Sequence, residues 1–248
     1  MESLITSRSN PIIKNTVLLQ EAKHRAQQGL FIAEGLRTCS TLMQNGLECV
    51  TLFVTPATEH QISTLANARQ KILVAPDVMG KISTASSPSG ILGVFKIPTN
   101  PTGPLAVPGL VLADVNDPGN MGALIRTAAA VNVRTVVIVE SCDPWNSKVI
   151  QASAGTIGMM RIIRWTWEEL IAHKGSIPLY ALVVENGTPI QNVNTQNGLL
   201  VIGNEAHGIP SALLTDCEQL VTIPMPGNTE SLNAAVAGSI ALYMGNVK

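Results

Sequence analysis

Three short apolar runs between residues 110 and 233 break off in the same way, and that repetition limits the folds open to the chain. Leu110-Val111-Leu112-Ala113-Asp114 runs into Asn116-Asp117-Pro118-Gly119-Asn120-Met121-Gly122. Leu199-Leu200-Val201-Ile202 stops at Gly203-Asn204-Glu205-Ala206-His207-Gly208-Ile209. Leu220-Val221-Thr222-Ile223-Pro224-Met225 leads into Pro226-Gly227-Asn228-Thr229-Glu230-Ser231-Leu232-Asn233. Apolar runs of about four to eight residues bounded by glycine read as buried strands. Each loop leads towards a segment with helical potential, and strands alternating with helices imply a parallel sheet. Ligands of open sheets of that kind bind beyond the carboxyl ends of the strands. One such junction is compatible with an ordinary turn; three suggest loops converging on one pocket. Gly203 and Gly208 would let the backbone turn tightly and admit a ligand close to it.

The alternation extends to the rest of the chain. Ser9 or Asn10 can cap a helix with Pro11 at its first position, and Ile12, Ile13, Val17, Leu18 and Leu19 recur at helical spacing. Strands are predicted over 30–33, 49–54, 72–75 and 91–97, and helices over 36–45, 59–69 and 77–83, so residues 1–98 form a small α/β unit. Pro98, Pro101, Pro104 and Pro108 then crowd one short stretch. Such composition makes a semi-rigid spacer, which sets a linker at 99–108 and a second domain at 109–248. Within that domain strands are predicted over 110–114, 135–139, 161–165, 179–184, 199–202 and 220–223. Helices are predicted from about 121 to 131, from near Ser147, over 168–173 and from about 232 to 244.

With 248 residues, 46% apolar and 13% charged, the chain can build a substantial core and is not a disordered polyelectrolyte. No apolar run reaches the roughly 18 residues a membrane helix needs, and the first eight residues lack the apolar centre of a signal peptide. A soluble, cytoplasmic protein without a membrane partner is expected. Cys39, Cys49, Cys142 and Cys217 form no C-x-x-C pair and none lies at metal-ligand spacing from a histidine. That favours reduced, buried thiols and no metal. The net charge of −1 argues against a general polyanion binder. Residues 1–98, however, hold nine Lys/Arg against six Asp/Glu, and residues 99–248 hold seven against eleven. An RNA contact would therefore lean on the first part. There Lys23-His24-Arg25 is either a solvated helix end, where cations suit the dipole, or a phosphate contact.

No strand is followed by G-x-G-x-x-G and there is no P-loop. Loops of glycine and asparagine suit an adenine or ribose better than a phosphate. Arg126 follows Asn120-Met121-Gly122 by about one helical turn, with Thr127-Ala128-Ala129-Ala130 behind it for tight packing. An isolated arginine is more often half of a surface ion pair; the loop before this one favours a functional role. Glu205 could be a cap, a ribose ligand or an ion-pair partner. Ser231 or Asn233 reads as the N-cap of the last helix, Leu232 alone would be assigned to the core, and His207 to an exposed turn.

Three of these stretches together resemble a known family. Asn120-Met121-Gly122-Ala123-Leu124-Ile125-Arg126-Thr127 resembles motif 1 of the SpoU/TrmH branch of the SPOUT RNA methyltransferases. Leu200 to Ile209 is similar to its motif 2, and Ile223-Pro224-Met225-Pro226-Gly227 through Ser231-Leu232-Asn233-Ala234-Ala235-Val236-Ala237 to its motif 3. Ser7-Arg8-Ser9-Asn10-Pro11-Ile12-Ile13-Lys14 with Gly29-Leu30-Phe31-Ile32-Ala33-Glu34-Gly35 is similar to the ribosomal-protein-L30e-like RNA-binding domain that many members carry. Two departures are small: Ala234-Ala235 follows the motif 3 asparagine where Val-Ser is commoner. Asn132 stands where glycine is usual, and asparagine tolerates left-handed backbone angles.

The resemblance implies an α/β fold with a C-terminal SPOUT domain of parallel strands tied in a trefoil knot, preceded by a smaller L30e-like α/β domain. It implies S-adenosyl-L-methionine as cofactor, a homodimer, and methyl transfer to a ribose 2′-hydroxyl of structured RNA, ribosomal RNA by analogy. Carried over position by position, Gly203, Ile223 and Leu232 contact the cofactor, joined by Met225 and Gly208. Arg126 is the catalytic arginine, and Asn120, Glu205, Ser231 and Asn233 shape the target site. Arg8, Lys14, Lys23 and Arg25 are the candidate RNA contacts. A transfer-RNA 2′-O-methyltransferase and a non-catalytic RNA-binding or ribosome-assembly protein are the alternatives.

Overall fold

A computed structural model describes residues 4–227 and 229–247. Met1, Glu2, Ser3, Lys248 and Asn228 of the third junction lie outside the described residues. The chain divides into two compact units, Met1–Thr99 with Trp145–Gly158, and Asn100–Pro144 with Met159–Lys248.

The first unit opens with helix α1 (Pro11–Leu18), where Asn10 Oδ1 accepts the Ile12 N–H and Pro11 fills the first helical position. Helix α2 (Ala22–Gln28) ends on Gly29, whose φ of 63° closes the turn. Strand β1 (Leu30–Glu34), helix α3 (Leu36–Gln44), strands β2 (Cys49–Val54) and β3 (Gln70–Leu73), helix α4 (Pro76–Ile82) and strand β4 (Ile91–Lys96) follow. Residues Glu59–Leu65 form a 3₁₀ helix, shorter than the helix expected over 59–69. The sheet runs β1-β4-β2-β3, with β4 antiparallel to both neighbours and β2 parallel to β3. One face buries Ile32, Phe53 and Leu92 under Ile13 of α1 and Val78 and Ile82 of α4.

The second unit contains strand β5 (Gly109–Ala113), helix α5 (Pro118–Ala130) and strand β6 (Thr135–Val139). Between β6 and the next strand the chain contributes Trp145–Gly158, including helix α6 (Ser147–Ala152), to the first unit. The second unit resumes with strand β7 (Arg161–Trp165), helix α7 (Trp167–Lys174), strands β8 (Leu179–Leu182), β9 (Thr188–Pro189) and β10 (Leu199–Ile202), helix α8 (Ser211–Leu214), strand β11 (Gln219–Thr222) and helix α9 (Ala234–Asn246). The stretch expected to be a spacer behaves differently at its end. The Arg161 guanidinium donates to the carbonyls of Thr102, Gly103 and Pro104, and Leu105 is buried in the core of this unit.

Seven strands form one sheet in the order β7-β6-β5-β10-β8-β11-β9, and every neighbouring pair is parallel. All residues of β5, β6 and β10 are buried, as a parallel sheet covered on both faces requires. One face packs Val111, Val137, Ile163 and Val201 against Trp167 and Leu170. On the other, α9 lies tightly on α5. A Cβ at Gly238 would sit 2.5 Å from Leu124 Cδ2 and 3.2 Å from Ile202 Cδ1. The Thr127 and Ser239 hydroxyls pair at 2.9 Å. Because the strands are parallel, the loops after β5, β10 and β11 leave from one edge. With strands about 4.8 Å apart, three steps span roughly 14 Å.

Candidate functional site

The loops after β10 and β11 enclose a cleft of about 360 Å³. Its lining includes Gly203, Gly208, Ile223, Met225 and Leu232, five residues singled out from sequence, together with Glu205 and Ser231. Leu182, Ile202 and Ile209 supply apolar wall. Leu232, which by itself reads as core, is 37% exposed and faces this space. Gly203 cannot carry a side chain here: a Cβ would lie 2.4 Å from the Gly208 carbonyl carbon and 2.5 Å from Ile209 N. Residues 204 and 208 bridge each other through both backbone hydrogen bonds, 2.9 and 3.0 Å, with Gly208 at φ 68°. A tight reverse turn thus presents main chain at the cleft wall.

A run of hydrogen bonds ties the three loops together. Glu205 Oε1 accepts from the Asn120 side-chain amide at 3.0 Å and from Asp117 N–H at 3.2 Å, and Oε2 accepts from Asn116 N–H at 3.4 Å. Asn120 Oδ1 in turn accepts from the Asn233 side-chain amide at 3.1 Å. Asn233 Oδ1 caps α9 by accepting from Ala235 and Val236 N–H. Asp117 caps α5, accepting from Asn120 N–H at 2.7 Å with Pro118 at the first position, so the helix starts three residues before the expected Met121. Partial burial alone would raise the Glu205 pKa. Hydrogen bonds from Asn120, its own backbone and the amides of Asp117 and Asn116 outweigh it and hold the carboxyl below its ordinary value.

A second knot of polar atoms was not singled out from sequence. The Asn204 side-chain amide donates to Asp114 O at 3.0 Å and to its carboxylate Oδ2 at 3.1 Å, while Asn204 Oδ1 accepts from Ala206 and His207 N–H. Asn116 donates to Asp114 Oδ1 at 2.6 Å. Asp114 holds φ 58°, left-handed for a non-glycine residue. The visible signal was an aspartate closing an apolar strand; its backbone angle is not a property of sequence. Asn132 also adopts the left-handed angle, φ 61°.

Arg126 is exposed on α5, makes no hydrogen bond or ion pair among the described residues, and is not part of the cleft lining. His207 is exposed and lines the cleft. Of the candidate RNA contacts, Lys14 and Lys23 are exposed, and Arg8 pairs with Asp77 at 3.1 Å with both side chains exposed. Arg25 must be corrected. It is 3% exposed, and its guanidinium donates to the carbonyls of Leu19 and Gln20 at 3.0 and 2.8 Å, so it braces the α1–α2 turn instead of reaching a phosphate. Burial pushes the Cys39 and Cys49 thiols up to about 12 and those of Cys142 and Cys217 to about 11, so none is a nucleophile near neutral pH. Among the described residues no group of three His, Cys, Asp or Glu could hold a metal, and no helix is long and apolar enough to cross a membrane.

Comparison with known proteins adds a family to this geometry. The profile of the SpoU rRNA Methylase family matches residues 109–243, and that of the MRM3-like substrate binding domain matches residues 10–93. An uncharacterized tRNA/rRNA methyltransferase of Synechocystis sp. is 29% identical, over 96% of this chain and 92% of its own. The 23S rRNA (guanosine(2553)-2′-O)-methyltransferase RlmP of Bacillus subtilis is 27% identical, over 96% and 97%. The crystal structure of an AdoMet-bound rRNA methyltransferase from Sinorhizobium meliloti superposes with a TM-score of 0.86 at 28% identity, covering 98% of this chain and 97% of that one.

Proposed function

The chain belongs to the SpoU rRNA methylase family, and from that premise we propose that it transfers a methyl group from S-adenosylmethionine to a ribose 2′-hydroxyl of ribosomal RNA. The observation that carries the reading is the convergence of Gly203, Ile223 and Leu232 on one cleft. The residues present fit an adenosyl group. The volume lies in the roughly 300–1,000 Å³ range of small-molecule sites, Leu182, Ile202 and Leu232 offer apolar surface, and Gly203 keeps main chain at the wall. When bound, the cofactor supplies a methyl group already activated by its sulfonium.

The protein's own task is then alignment of the ribose oxygen and accommodation of the charge it develops. Gly203, Gly208, Ile223, Met225 and Leu232 hold the adenosyl group, while Asn120, Glu205, Ser231 and Asn233 frame the acceptor side. Glu205 is a positioning residue: its oxygens already accept three hydrogen bonds from Asn116, Asp117 and Asn120, and its affinity for a proton is low. Arg126, whose guanidinium carries donors and no acceptor, orients the 2′-oxygen and stabilises its negative charge.

Because Arg126 stands outside the cleft of a single chain, we assign it to a cleft completed by a second copy. Exposed Val236, Tyr243, Met244 and Val247 along and just beyond α9 supply the apolar surface such a homodimer would bury. The insertion of β10 between β5 and β8, and of β11 between β8 and β9, accords with a C-terminal segment threaded as a trefoil knot. The place of action is the cytoplasm, with ribosomal RNA.

Incubation with methyl-tritiated S-adenosylmethionine and deproteinised 23S ribosomal RNA tests the reading. Label is expected at a ribose, leaving an alkali-resistant dinucleotide. No transfer, or label on a base, would overturn it. The Arg126→Ala variant is expected to lose about 10²–10³-fold in kcat with unchanged cofactor affinity. Wild-type turnover would remove Arg126 from its role.

A further inference from the structure

With Arg25 turned inward, any phosphate contact of the first unit falls to its exposed cations. Arg8 is taken by Asp77, and Arg69 and Lys96 are both taken by Glu48. Exposed Arg37, Lys81 and Lys148 make no ion pair among the described residues, and neither do exposed Lys14, Lys23 and Lys71; what sets the first three apart is their placement. Those three come from α3, α4 and α6, whose ends lie at or within two residues of one hydrogen-bonded node. Glu34 at the end of β1 is 8% exposed. Its Oε2 accepts from the Ser83 hydroxyl at 2.7 Å, and its Oε1 accepts from Thr84 N–H at 2.6 Å and the Thr84 hydroxyl at 3.0 Å. The Thr84 hydroxyl also lies 3.2 Å from Ser147 Oγ. Arg37 follows Glu34 by three residues, Lys81 precedes Ser83 by two, and Lys148 adjoins Ser147. At roughly 3.6 Å of chain per residue, each backbone attachment lies within about 11 Å of the node.

We propose that Arg37, Lys81 and Lys148 form a composite phosphate-binding face for RNA around the Glu34–Thr84–Ser147 node. The node's carboxylate, Glu34, is buried and already accepts three internal hydrogen bonds, and it forms no ion pair with these cations among the described residues. The exposed hydroxyls of Ser86 and Ser87 in the adjoining loop add donors of the kind that contact phosphate and sugar; that of Ser89 is already spent on the Ile91 carbonyl. Lys148 gives the face an unusual origin. It lies within residues 109–243, matched by the methylase profile, yet it folds as part of the first unit. The RNA-holding surface therefore draws on both sequence regions.

This inference rests on the RNA-substrate reading, and its test separates the two. Binding of deproteinised 23S ribosomal RNA to the full chain is measured across a salt series for wild type, for Arg37→Gln/Lys81→Gln/Lys148→Gln, and for Lys14→Gln/Lys23→Gln. Each lost phosphate contact lowers the slope of log affinity against log salt by about 0.7–0.9, so the triple variant should lose about 2–3 from the slope. Its affinity for S-adenosylmethionine and its thermal midpoint should match wild type. A triple variant with the wild-type slope, or an equal loss in the Lys14/Lys23 variant alone, would overturn the face while wild-type methyl transfer still stands. Absence of transfer by wild type would instead sink the parent reading.

Discussion

Asp114 shows how much of the site depends on a residue outside the cleft lining. A left-handed angle at a non-glycine residue costs about 1–2 kcal/mol, and aspartate tolerates it better than most. The position returns that cost through its carbonyl and carboxylate, which together receive the Asn204 amide, and through the second carboxylate oxygen, which receives Asn116. Asn204 uses its own oxygen to hold Ala206 and His207 N–H, so Asp114 indirectly fixes the turn that keeps Gly203 against Gly208. Asp114→Ala keeps the strain and removes the carboxylate, and is expected to weaken S-adenosylmethionine binding about tenfold, roughly 1.4 kcal/mol. Asp114→Asn, which keeps one acceptor and the left-handed tolerance, should lose less. Isothermal titration reads both, and an alanine variant that binds like wild type would end the argument.

At the scale of elements, buried parallel strands are the most legible part of this chain. The strands expected over 49–54, 135–139, 161–165 and 199–202 have those very bounds; near-continuous burial writes apolar runs in three of them, while the edge strand 161–165, with Arg164 exposed, is marked only by Ile162, Ile163 and Trp165. Helix ends were less legible. The start of α5 depends on the side chain of Asp117, which was not expected as a cap, whereas Asn233, one of the two caps expected for the last helix, does cap α9 and also reaches across to Asn120. The loops were recognisable by glycine and asparagine, but not their wiring: Glu205 left three readings open, and its actual partners lie more than eighty residues away in sequence. That wiring has a pH signature. The Glu205 pKa is lowered from 4.5 by the fold, so its contribution to loop closure is fully present above pH 4.5 and is lost as pH falls through the lower folded value. Cofactor affinity measured by calorimetry should stay flat from neutral pH to about 4.5 and fall below it. Glu205→Gln should lose the part of that fall that comes from this carboxyl. If both proteins follow the same curve, Glu205 is not the group that holds the loops.

For the whole molecule, the least legible feature is that the first unit is not contiguous. Proline composition placed one boundary at 99–108, but composition carries no sign that a later crossover returns to the first unit. The reason lies in what that unit would otherwise leave uncovered. Phe31 of β1 stacks on Phe95 of β4 at 5.6 Å, and Trp145 lies over the same Phe31 ring at 5.0 Å. Trp145 is 6% exposed, and Gly155, at φ 79°, comes so close that a Cβ there would lie 2.7 Å from Thr38 O. The segment is therefore core, although its sequence reads as a loop and a short helix. Replacing a buried tryptophan by alanine costs about 3–5 kcal/mol through lost burial and the cavity left behind. Trp145→Ala should show a loss of that size in urea denaturation followed by circular dichroism, and a chain ending at Thr99 should be destabilised in the same direction. A Trp145→Ala loss below about 0.5 kcal/mol, the size typical of an exposed site, would mean that residues 145–158 merely rest on the first unit. In that case Lys148 would have no fixed place beside Arg37 and Lys81, and the composite phosphate face would lose its structural basis.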